Sequence, residues 1–327
     1  MFRQITLTIN DATRHGVMTS KIMALLNQLA VASLTSTLKQ AVTMDSAVSR
    51  SKGLTHTTQV GLLLREWRAT QRLSQLDLAL AAEVSARHLS CVETGKAQPS
   101  REMVLRLADA LDMPLRERNA LMVAAGYAPT YPESALDTPA LALVNRAIEC
   151  MLKQQEPYPA FLLDRHWDIL IANHAAESVA RFVLRGGCSA HRNMIRQIFD
   201  PDDLRSGIAN WEDVAGDLIR HLHNAVTTTP SDARARTLLD EALAYPGVPR
   251  QWHTRDPGAA PSPLLTTVFR VGDEQLNFFS TITTFGTPRD VTLDDLRIEL
   301  TFPMDEATAK FCHKMARGDN ETAAAKS

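Results

Sequence analysis

Five neighbouring residues have side chains of the kind that read or hold DNA. Arg87 can donate two hydrogen bonds to guanine O6 and N7 in the major groove, and it can equally bind a phosphate. His88 is aromatic and short, which suits a thymine methyl or a phosphate. Ser85 and Ser90 carry hydroxyls that can donate to phosphate, although helix capping alone explains Ser85. Ala86 is predicted to face outward with them, on the helical turn that reaches base edges.

Two short helices joined by a tight corner are predicted to position these side chains. Ser74 and Ser85 have the hydroxyls that cap the first and the second helix. In the second helix, Leu89 and Val92 are predicted to point inward. The first helix has four apolar residues that are predicted to form one buried face: Leu76, Leu78, Ala79 and Ala82. This layout is typical of a DNA-binding helix-turn-helix.

The stretch Leu73–Leu107 resembles the lambda-repressor-like (XRE-type) helix-turn-helix family, through the motifs LSQ, LA, VS, RHLS, E-x-G and PS. The run from Arg65 to about Pro129 further resembles the MmyB-like subfamily, whose signature is RHLS followed by E-x-G-x-x-x-PSR. The resemblance implies a five-helix head that binds double-stranded DNA, with Gln75 on the DNA backbone or an adenine edge and Lys96 on the backbone. The residue types alone leave a plain surface glutamine and a solvated lysine open.

One residue departs from the family pattern. Glu83 stands in the corner between the two helices, where the family usually has Gly. A positive φ at a residue other than Gly costs about 1 kcal/mol. Its charge also lies near the phosphates, so we expect a head that relies on a dimer for its affinity. Glu93 is predicted to hold the loop after the second helix by accepting backbone N–H groups.

A single recognition helix reads only a few base pairs. We therefore expect a homodimer on a palindromic operator, with half-sites about one helical turn apart. The first helices, the fifth helix and the C-terminal domain are alternative sites for the dimer contact.

The composition is that of a soluble two-domain protein of 327 residues. Residues 1–56 carry six Lys/Arg against two Asp/Glu, whereas the chain after residue 127 carries a net charge of −7, which fits a basic DNA-binding part on an acidic body. The four cysteines are widely separated, which argues against a disulfide framework or a zinc site and favours the cytoplasm. No apolar run reaches the ~18 residues of a membrane span.

Five segments are predicted along the chain. Residues 1–55 form an N-terminal extension, partly disordered or helical, and residues 56–126 form the helix-turn-helix domain. Residues 127–139, rich in Pro and turn-forming residues, form a linker through which any coupling must pass. Residues 140–317 form a second domain, and residues 318–327 form a disordered tail.

The N-terminal extension allows three interpretations. The apolar run after Lys21 superficially resembles a signal peptide. Alternatively, translation starts at Met44, or an amphipathic helix over about 18–40 packs on a partner subunit.

The second domain combines helical and strand patterns, and its last helix is predicted to end at about Met315. The predicted strands are AFLLD, WDILIAN, Leu264–Val271, Leu276–Phe285 and Arg297–Phe302. Gly272-Asp273 is a hairpin turn pair. Two strands, a run of helices and three more strands predict a mixed α+β domain with one antiparallel sheet.

This part also resembles the MmyB-like regulators over most of 140–316, through PAFLLDRHWDILIAN-x-AA, TTVF and TTFGTP-x-DVTLDDLRIELTFPMDEAT. The resemblance implies a PAS-like ligand-binding domain, in which a sheet and its helices enclose a small-molecule pocket. The fold class is then multidomain α and α+β: an N-terminal five-helix lambda-repressor-like helix-turn-helix domain followed by a PAS-like α+β domain with an antiparallel sheet.

Apolar and aromatic side chains of this domain are candidates to line that pocket, and each is alternatively ordinary core. A pocket of this kind suits a small, fatty-acid-like or otherwise apolar ligand. Arg165, His166 and Asn173, at predicted strand ends, are candidates to orient a polar group of the ligand. The predicted pocket residues are Phe161, Trp167, Ile169, Ile171, His174, Phe182, Phe269, Phe278 and Ile282.

Motifs for catalysis and cofactor binding are missing from the sequence, which contains no G-x-G-x-x-G, G-x-x-x-x-G-K-[ST], G-x-S-x-G or H-E-x-x-H. We therefore predict no enzyme, no cofactor and no metal, but a cytoplasmic transcription regulator that senses a small molecule. One alternative is an enzyme that the head tethers to DNA, which paired titratable groups in the pocket would favour. Another is a constitutive DNA-binding protein whose second domain only dimerises and holds no cavity.

Overall fold

The structure is a computed structural model that describes residues 56–254, 264 and 266–324. The three interpretations of the N-terminal extension, and the whole of residues 1–55, lie outside the described residues. None of the helices in these described ranges combines the length and the apolar character that crossing a membrane requires.

Five helices form the head, the name used here for residues 56–126. They are α1 (His56–Thr70), α2 (Gln75–Ala81), α3 (Ala86–Glu93), α4 (Arg101–Ala110) and α5 (Leu115–Ala124). Their apolar sides meet in one core, in which Trp67, Leu78, Leu89 and Met122 are almost completely buried. The prediction of a five-helix head is confirmed.

Hydroxyl side chains begin the two helices of the helix-turn-helix. Ser74 Oγ accepts the N–H of Asp77 at 3.1 Å, and the Asp77 carboxylate accepts the N–H of Ser74 at 3.0 Å. Ser85 Oγ accepts the N–H of His88 at 3.4 Å. Both predicted caps are confirmed, because each side chain satisfies a backbone donor that has no partner within its helix.

The prediction that Leu76 of α2 belongs to the core is wrong. Leu76 is 58% exposed, whereas Leu78 and Ala79 are buried. Leu76 and Leu78 are two positions apart and therefore point about 200° away from each other on a helix, so that only one of them can face the core.

The corner between α2 and α3 adopts the strained conformation that the sequence leaves in question. Glu83 has a φ of +53°. The N–H of Val84 donates to Ala79 O at 2.9 Å and closes the end of α2. A left-handed residue other than Gly costs about 1 kcal/mol, which the packing of the two helices must offset.

The C-terminal domain, here residues 139–324, follows with helices on both sides of a sheet. Its helices are α6 (Ala142–Gln154), α7 (His174–Val183), α8 (Met194–Phe199), α9 (Trp211–Thr228), α10 (Ala233–Ala244), α11 (Val291–Asp295) and α12 (Glu306–Ala324). Its strands are β1 (Ala160–Leu163), β2 (Ile169–Ala172), β3 (Thr266–Val271), β4 (Glu274–Thr283) and β5 (Arg297–Pro303).

The five strands form one antiparallel sheet in the order β2-β1-β5-β4-β3. A tight turn at Gly272-Asp273 joins β3 to β4, and Gly272 has the positive φ of +61° that such a turn favours. The predicted hairpins and the single antiparallel sheet are confirmed.

The central strand β5 presents different side chains to the two faces of the sheet. Ile298 and Leu300 pack with Ile148 and Leu152, on the face that α6 covers. Because side chains alternate along a strand, Arg297 and Glu299 lie on the opposite face, where α8, α9 and α10 pack. This second face carries the polar groups discussed below.

Two helices differ from the sequence prediction. The last helix, expected to end at about Met315 before a disordered tail from residue 318, continues to Ala324. Gly318 and Asn320 are poor helix formers, but the helix continues through them. The short helix α11 was not predicted, because five residues are too few to show a helical period.

Candidate DNA-binding face and junction cavity

The first turn of α3 projects polar side chains from a helix whose other side is fixed in the head core. Leu89 and Val92 are fully buried, whereas Arg87 and His88 are exposed. Arg87 makes no ion pair or side-chain hydrogen bond with the described part of the chain. A guanidinium on a fixed helix, with its donors unused, is suited to bind phosphate or a guanine edge.

The other predicted contact residues on and after α3 differ in exposure. Ser85 and Lys96 are exposed, and Lys96 pairs with no described acid. Ser90 is half-buried. Ala86 is half-buried against the head core, so its predicted outward position is wrong. Ala86 precedes the buried Leu89 by three residues and therefore shares its face of the helix.

Glu93, the last residue of α3, ties three helices together from a buried position. Its carboxylate accepts two hydrogen bonds from Arg68 of α1, from Nε at 2.7 Å and from Nη2 at 2.9 Å. It accepts a third from Gln75 Nε2 of α2, at 2.8 Å. The predicted backbone partners of Glu93 are wrong, because two side chains from neighbouring helices reach the carboxylate instead.

The surroundings of Glu93 favour the charged form of its carboxyl. Burial raises the pKa of its carboxyl, but hydrogen bonds from Arg68 and Gln75 and the charges of Arg68 and Arg65 outweigh burial, so the pKa lies below its usual value. Gln75 therefore has one amide N–H committed to Glu93. Its second N–H and its Oε1 have no partner among the described residues.

The nine side chains predicted to line one pocket are not brought together. Those that pack with α8, α9 and α10 are Phe161, Trp167, Ile169 and Phe269. Those that pack with α7 and α12 are Phe182 and Phe278, and Phe269 also contacts this second cluster, with its ring centre 6.3 Å from that of Phe278. Those on the surface are Ile171, which is 37% exposed, Ile282, which is 43% exposed, and His174, at the first residue of α7. A single pocket formed by all nine is wrong, because three of them lie at the surface and the other six pack within two hydrophobic clusters.

Asn173, a candidate to orient a ligand, has a structural role instead. Its buried Oδ1 accepts the N–H groups of Ala160 and Ala176, both at 3.0 Å. Its Nδ2 donates to Tyr158 O at 2.8 Å. Asn173 thus joins β1 to the start of α7 and has little capacity left for a ligand.

An open cavity of about 800 Å³ lies where the head meets the C-terminal domain, and we refer to it as the junction cavity. The head contributes wall residues that include Met113 and Leu115, and the linker contributes Tyr131. The C-terminal domain contributes wall residues that include Trp167, His221 and Arg297. Of the nine predicted pocket residues, Trp167 lines this cavity.

Trp167 lies in the β1–β2 hairpin with a φ of +67°. This conformation is rare for an aromatic residue and marks a strained position of the kind that clusters at functional sites. Trp167 is 5% exposed, and its ring stands edge-to-face with His221, with 6.0 Å between ring centres. The Arg297 guanidinium carbon lies 5.9 Å from the indole centre.

Arg165 and His166, the other two candidate ligand-orienting residues, are held by one acid. Asp232 accepts hydrogen bonds from the Arg165 guanidinium and from His166 Nε2, the latter at 2.9 Å. Burial raises the pKa of Asp232, but the N–H of Ala235 and these two partners lower it more, so that its pKa is below the usual value. No cluster of three or more His, Cys, Asp or Glu suited to a metal ion occurs in the described ranges.

The short helix α11 connects the C-terminal domain to the head. Asp294 accepts the backbone N–H of Leu115 at 2.8 Å. Asp295 accepts two hydrogen bonds from Arg116, from Nε at 3.0 Å and from Nη2 at 2.9 Å. Burial raises the pKa of Asp295, and the hydrogen bond from Arg116 and the charges of Arg165 and Arg116 only partly oppose this. Sequence reasoning missed these contacts because it missed α11.

The predicted linker is attached to both parts. Asn119 Oδ1 of α5 accepts the N–H groups of Thr130 and Tyr131 at 2.9 and 3.0 Å. Pro132 O accepts the N–H of Val291 at 2.8 Å. The linker is therefore not a free tether, and like α11 it contacts both the head and the C-terminal domain.

Glu299 is a further polar residue that sequence reasoning missed. Its side chain is buried on β5, and its Oε2 has no hydrogen-bond partner. Burial raises the pKa of the carboxyl, and a hydrogen bond with Ser280 opposes burial only in part. Its neighbours across the sheet are Phe161 on β1 and Ile282 on β4. The sequence did carry a signal for this residue. The alternation of side chains along β5 places Glu299 on a face of the sheet that helices cover.

Comparisons with known proteins match both parts of the chain. A family model described as MmyB-like transcription regulator ligand binding domain matches residues 144–315, slightly more than half of the chain. A second model, described as helix-turn-helix domain, matches residues 59–121. No match was found among curated proteins.

Two solved structures are similar to parts of the chain. The restriction-modification controller protein C.AhdI from Aeromonas hydrophila is 35% identical over 19% of this chain and 94% of its own, with a TM-score of 0.18. An RNA-binding light-oxygen-voltage receptor is 14% identical over 87% of this chain and 67% of its own, with a TM-score of 0.20. TM-scores this low establish no shared overall fold.

Proposed function

The chain belongs to the MmyB-like transcription regulators, and we propose that it acts in the cytoplasm as a homodimer on a palindromic operator. The helix-turn-helix head binds DNA, and the ligand-binding domain regulates that binding. The observation that carries this proposal is the exposed, unpaired Arg87 on the first turn of a helix that Glu93 fixes in place.

Arg87 is the base-reading residue in this proposal. Its fork of N–H groups matches guanine O6 and N7, a contact worth about 1–3 kcal/mol of discrimination. His88, one residue further along the exposed turn, contacts a thymine methyl or a phosphate. The residues proposed to hold phosphates are Gln75, through its second amide N–H, together with Ser85, Ser90 and Lys96.

The dimer supplies the affinity that one head lacks. A head with one arginine on its recognition helix, and with the negative Glu83 in its corner, has a weak electrostatic hold on DNA. Two heads related by a two-fold axis double the contacts and require half-sites one helical turn, about 10 base pairs, apart.

The ligand is proposed to be small and to have an apolar body. The junction cavity has a volume of about 800 Å³, which suits a small molecule. Trp167, Met113 and Leu115 contribute apolar surface to its wall.

Selection of duplexes from a random library by the full chain tests this proposal. The expected result is a two-fold symmetric site that binds two chains per duplex in a fluorescence anisotropy titration. Selection of no sequence over random DNA would contradict the proposal. Native mass spectrometry of the purified protein tests the other half, because a co-purified small molecule is expected on the dimer and a bare monomer counts against both dimerisation and sensing.

A further inference from the structure

We propose that α12 carries a second DNA-contacting surface, which binds backbone phosphates beside the half-site that the head occupies. The surface is a row of basic side chains, called the basic stripe here: Lys310, His313, Lys314 and Arg317. This inference rests on the proposed function and goes beyond it, because it assigns a DNA contact to the C-terminal domain.

The basic stripe lies on the side of α12 that faces away from the domain. Spacings of three, four and seven residues place its four side chains within about 100° of the helix circumference. All four are exposed. The opposite side of α12 packs against α7 and β4 through Phe311, Cys312 and Met315. The core therefore fixes the rotation of the helix, and the basic stripe projects into solvent.

The charges of the basic stripe have little compensation within the chain. Lys310 Nζ lies 3.0 Å from Glu306 Oε1, but the two side chains are 74% and 81% exposed, so that this pair contributes little. Lys314 and Arg317 form no ion pair or side-chain hydrogen bond with the described residues. Three cations on one helix face are thus available to an external anion.

This arrangement of charges is unfavourable for the isolated helix. Lys310 and Lys314 are four residues apart, and Lys314 and Arg317 are three apart, and like charges at these spacings cost about 0.2–0.5 kcal/mol per pair. The chain after residue 127 carries a net charge of −7, so a basic helix face is not a consequence of its composition. Cations that repel one another in the free protein are stabilised beside an anionic partner.

The length of the basic stripe matches the spacing of phosphates on DNA. Lys310 and Arg317 are seven residues apart, which is about 10 Å along the helix axis. Each strand of a duplex carries one phosphate about every 3.4 Å of its axis, so the stripe spans about three phosphates. His313 lies between the cations, with its ring edge-to-face with Tyr158, and a ring N–H can donate to a phosphate oxygen.

A DNA backbone fits the basic stripe better than a lipid surface does. From residue 310 to residue 317, the exposed positions carry no large apolar side chain, whereas a membrane-bound helix has such side chains beside its cations. In the proposed function the head already holds the chain on DNA, so neighbouring phosphates are present at a high effective concentration. Because the head covers its own half-site, the phosphates available to α12 are those beside it.

Fluorescence anisotropy titrations over a salt series test the basic stripe. The full chain is titrated onto the selected operator alone and onto the operator extended on each side by two helical turns, roughly 20 base pairs. We expect the affinity of the wild type to depend more steeply on salt with the extended duplex. Lys310→Gln/Lys314→Gln/Arg317→Gln should reduce the slope of log K against log salt by about 2–3 on that duplex and leave it unchanged on the operator alone.

Two control variants separate the basic stripe from the general charge of the protein. Lys310→Arg/Lys314→Arg keeps the charges and should bind both duplexes like the wild type. Lys153→Gln/Arg236→Gln/Arg270→Gln removes the same charge from exposed positions on α6, α10 and β3, and it should keep the wild-type slopes.

Three results would overturn the proposal. They are an unchanged slope on the extended duplex in the triple stripe variant, an equal reduction of the slope in the triple control variant, and loss of the dimer by the stripe variant in analytical ultracentrifugation. The last result would make the basic stripe a contact between two copies of the chain. Failure of the wild type to bind either duplex would overturn the proposed function and this inference with it, whereas normal wild-type binding with any of the three results overturns the basic stripe alone.

Discussion

The Asp294 carboxylate accepts the N–H of Leu115 at 2.8 Å and so caps a helix of the head from the C-terminal domain. Helix α5 begins after Pro114, a residue that has no side-chain acceptor to offer. A carboxylate at the N-terminus of a helix accepts a hydrogen bond from a free N–H, and its negative charge is attracted by the positive end of the helix dipole. The start of α5 therefore depends on whether α11 is in place.

Asp294→Ala is predicted to loosen the first turn of α5 by about 1 kcal/mol, the usual cost of losing a helix cap. The measurement is amide hydrogen exchange, in which the Leu115 N–H should exchange faster in the variant. Asp240→Ala, at an exposed position of α10, is the control and should leave Leu115 unchanged. Equal protection of Leu115 in the wild type and Asp294→Ala would show that the cap has no energetic role.

Glu93→Gln is predicted to destabilise the protein by about 3 kcal/mol at neutral pH, because Arg68 loses the charge of a buried partner. The folded-state pKa of Glu93 is lowered, so its stabilisation is complete above the unfolded pKa of 4.5 and is lost as the pH falls through the folded value. Denaturant unfolding of both proteins over a pH series should show a difference that shrinks in acid. The exposed Glu102→Gln is the control. A difference that does not change with pH would refute this role.

Glu299→Gln is predicted to have the opposite pH dependence. The folded-state pKa of Glu299 is raised, so folding favours the protonated carboxyl, and stability is lost as the pH rises from the unfolded pKa toward the folded value. Glutamine lacks this loss, which amounts to at most about 1.4 kcal/mol per pH unit. In thermal melts, the Tm of Glu299→Gln should therefore rise relative to the Tm of the wild type as the pH rises. Parallel melting curves at every pH would mean that Glu299 is ionised in the folded protein.

Gly61→Ala is predicted to cost about 1–3 kcal/mol, although alanine is the better helix former. An added Cβ would lie 2.5 Å from Val92 O and 2.8 Å from Glu93 O, the backbone at the end of α3. In contrast, Gly216→Ala on α9 would meet Trp252 at an ordinary 3.5 Å and serves as the control. Thermal melting should separate the two variants, and Gly61→Ala should also weaken DNA binding because α3 must shift. Equal stability of the two variants would contradict the close approach of α1 and α3.

Local chemistry made the head largely predictable from the sequence. Ser74 and Ser85 predict the starts of their helices, because a hydroxyl at the N-cap position accepts a hydrogen bond from one of the first free N–H groups. Gly272-Asp273 predicts a hairpin, because few residue pairs adopt the φ values that a two-residue hairpin turn requires. Glu93 shows the limit of this reasoning. Its role as a structural acid was predicted, but its partners Arg68 and Gln75 come from other helices, and only packing brings them near.

The site in the C-terminal domain was less predictable, because it depends on contacts between distant segments. Arg297 and Trp167 meet across more than a hundred residues, and the cavity beside them needs walls from the head. The apolar character of Phe182 and Ile282 predicted burial in a pocket, yet the fold places one in a packed cluster and the other at the surface. Apolar residue type indicates a preference for burial but does not specify the neighbours.

The central claim is that Arg87 on α3 reads a DNA base, and the ratio of affinities for the selected duplex and a random duplex tests it most directly. The ratio is measured for the wild type and Arg87→Ala at one fixed salt concentration, since the phosphate contribution depends on salt. The account predicts that Arg87→Ala loses about 1–3 kcal/mol on the selected duplex and much less on the random one. An equal loss on both duplexes would make Arg87 a phosphate contact, and no loss on either would remove it from the DNA-binding face.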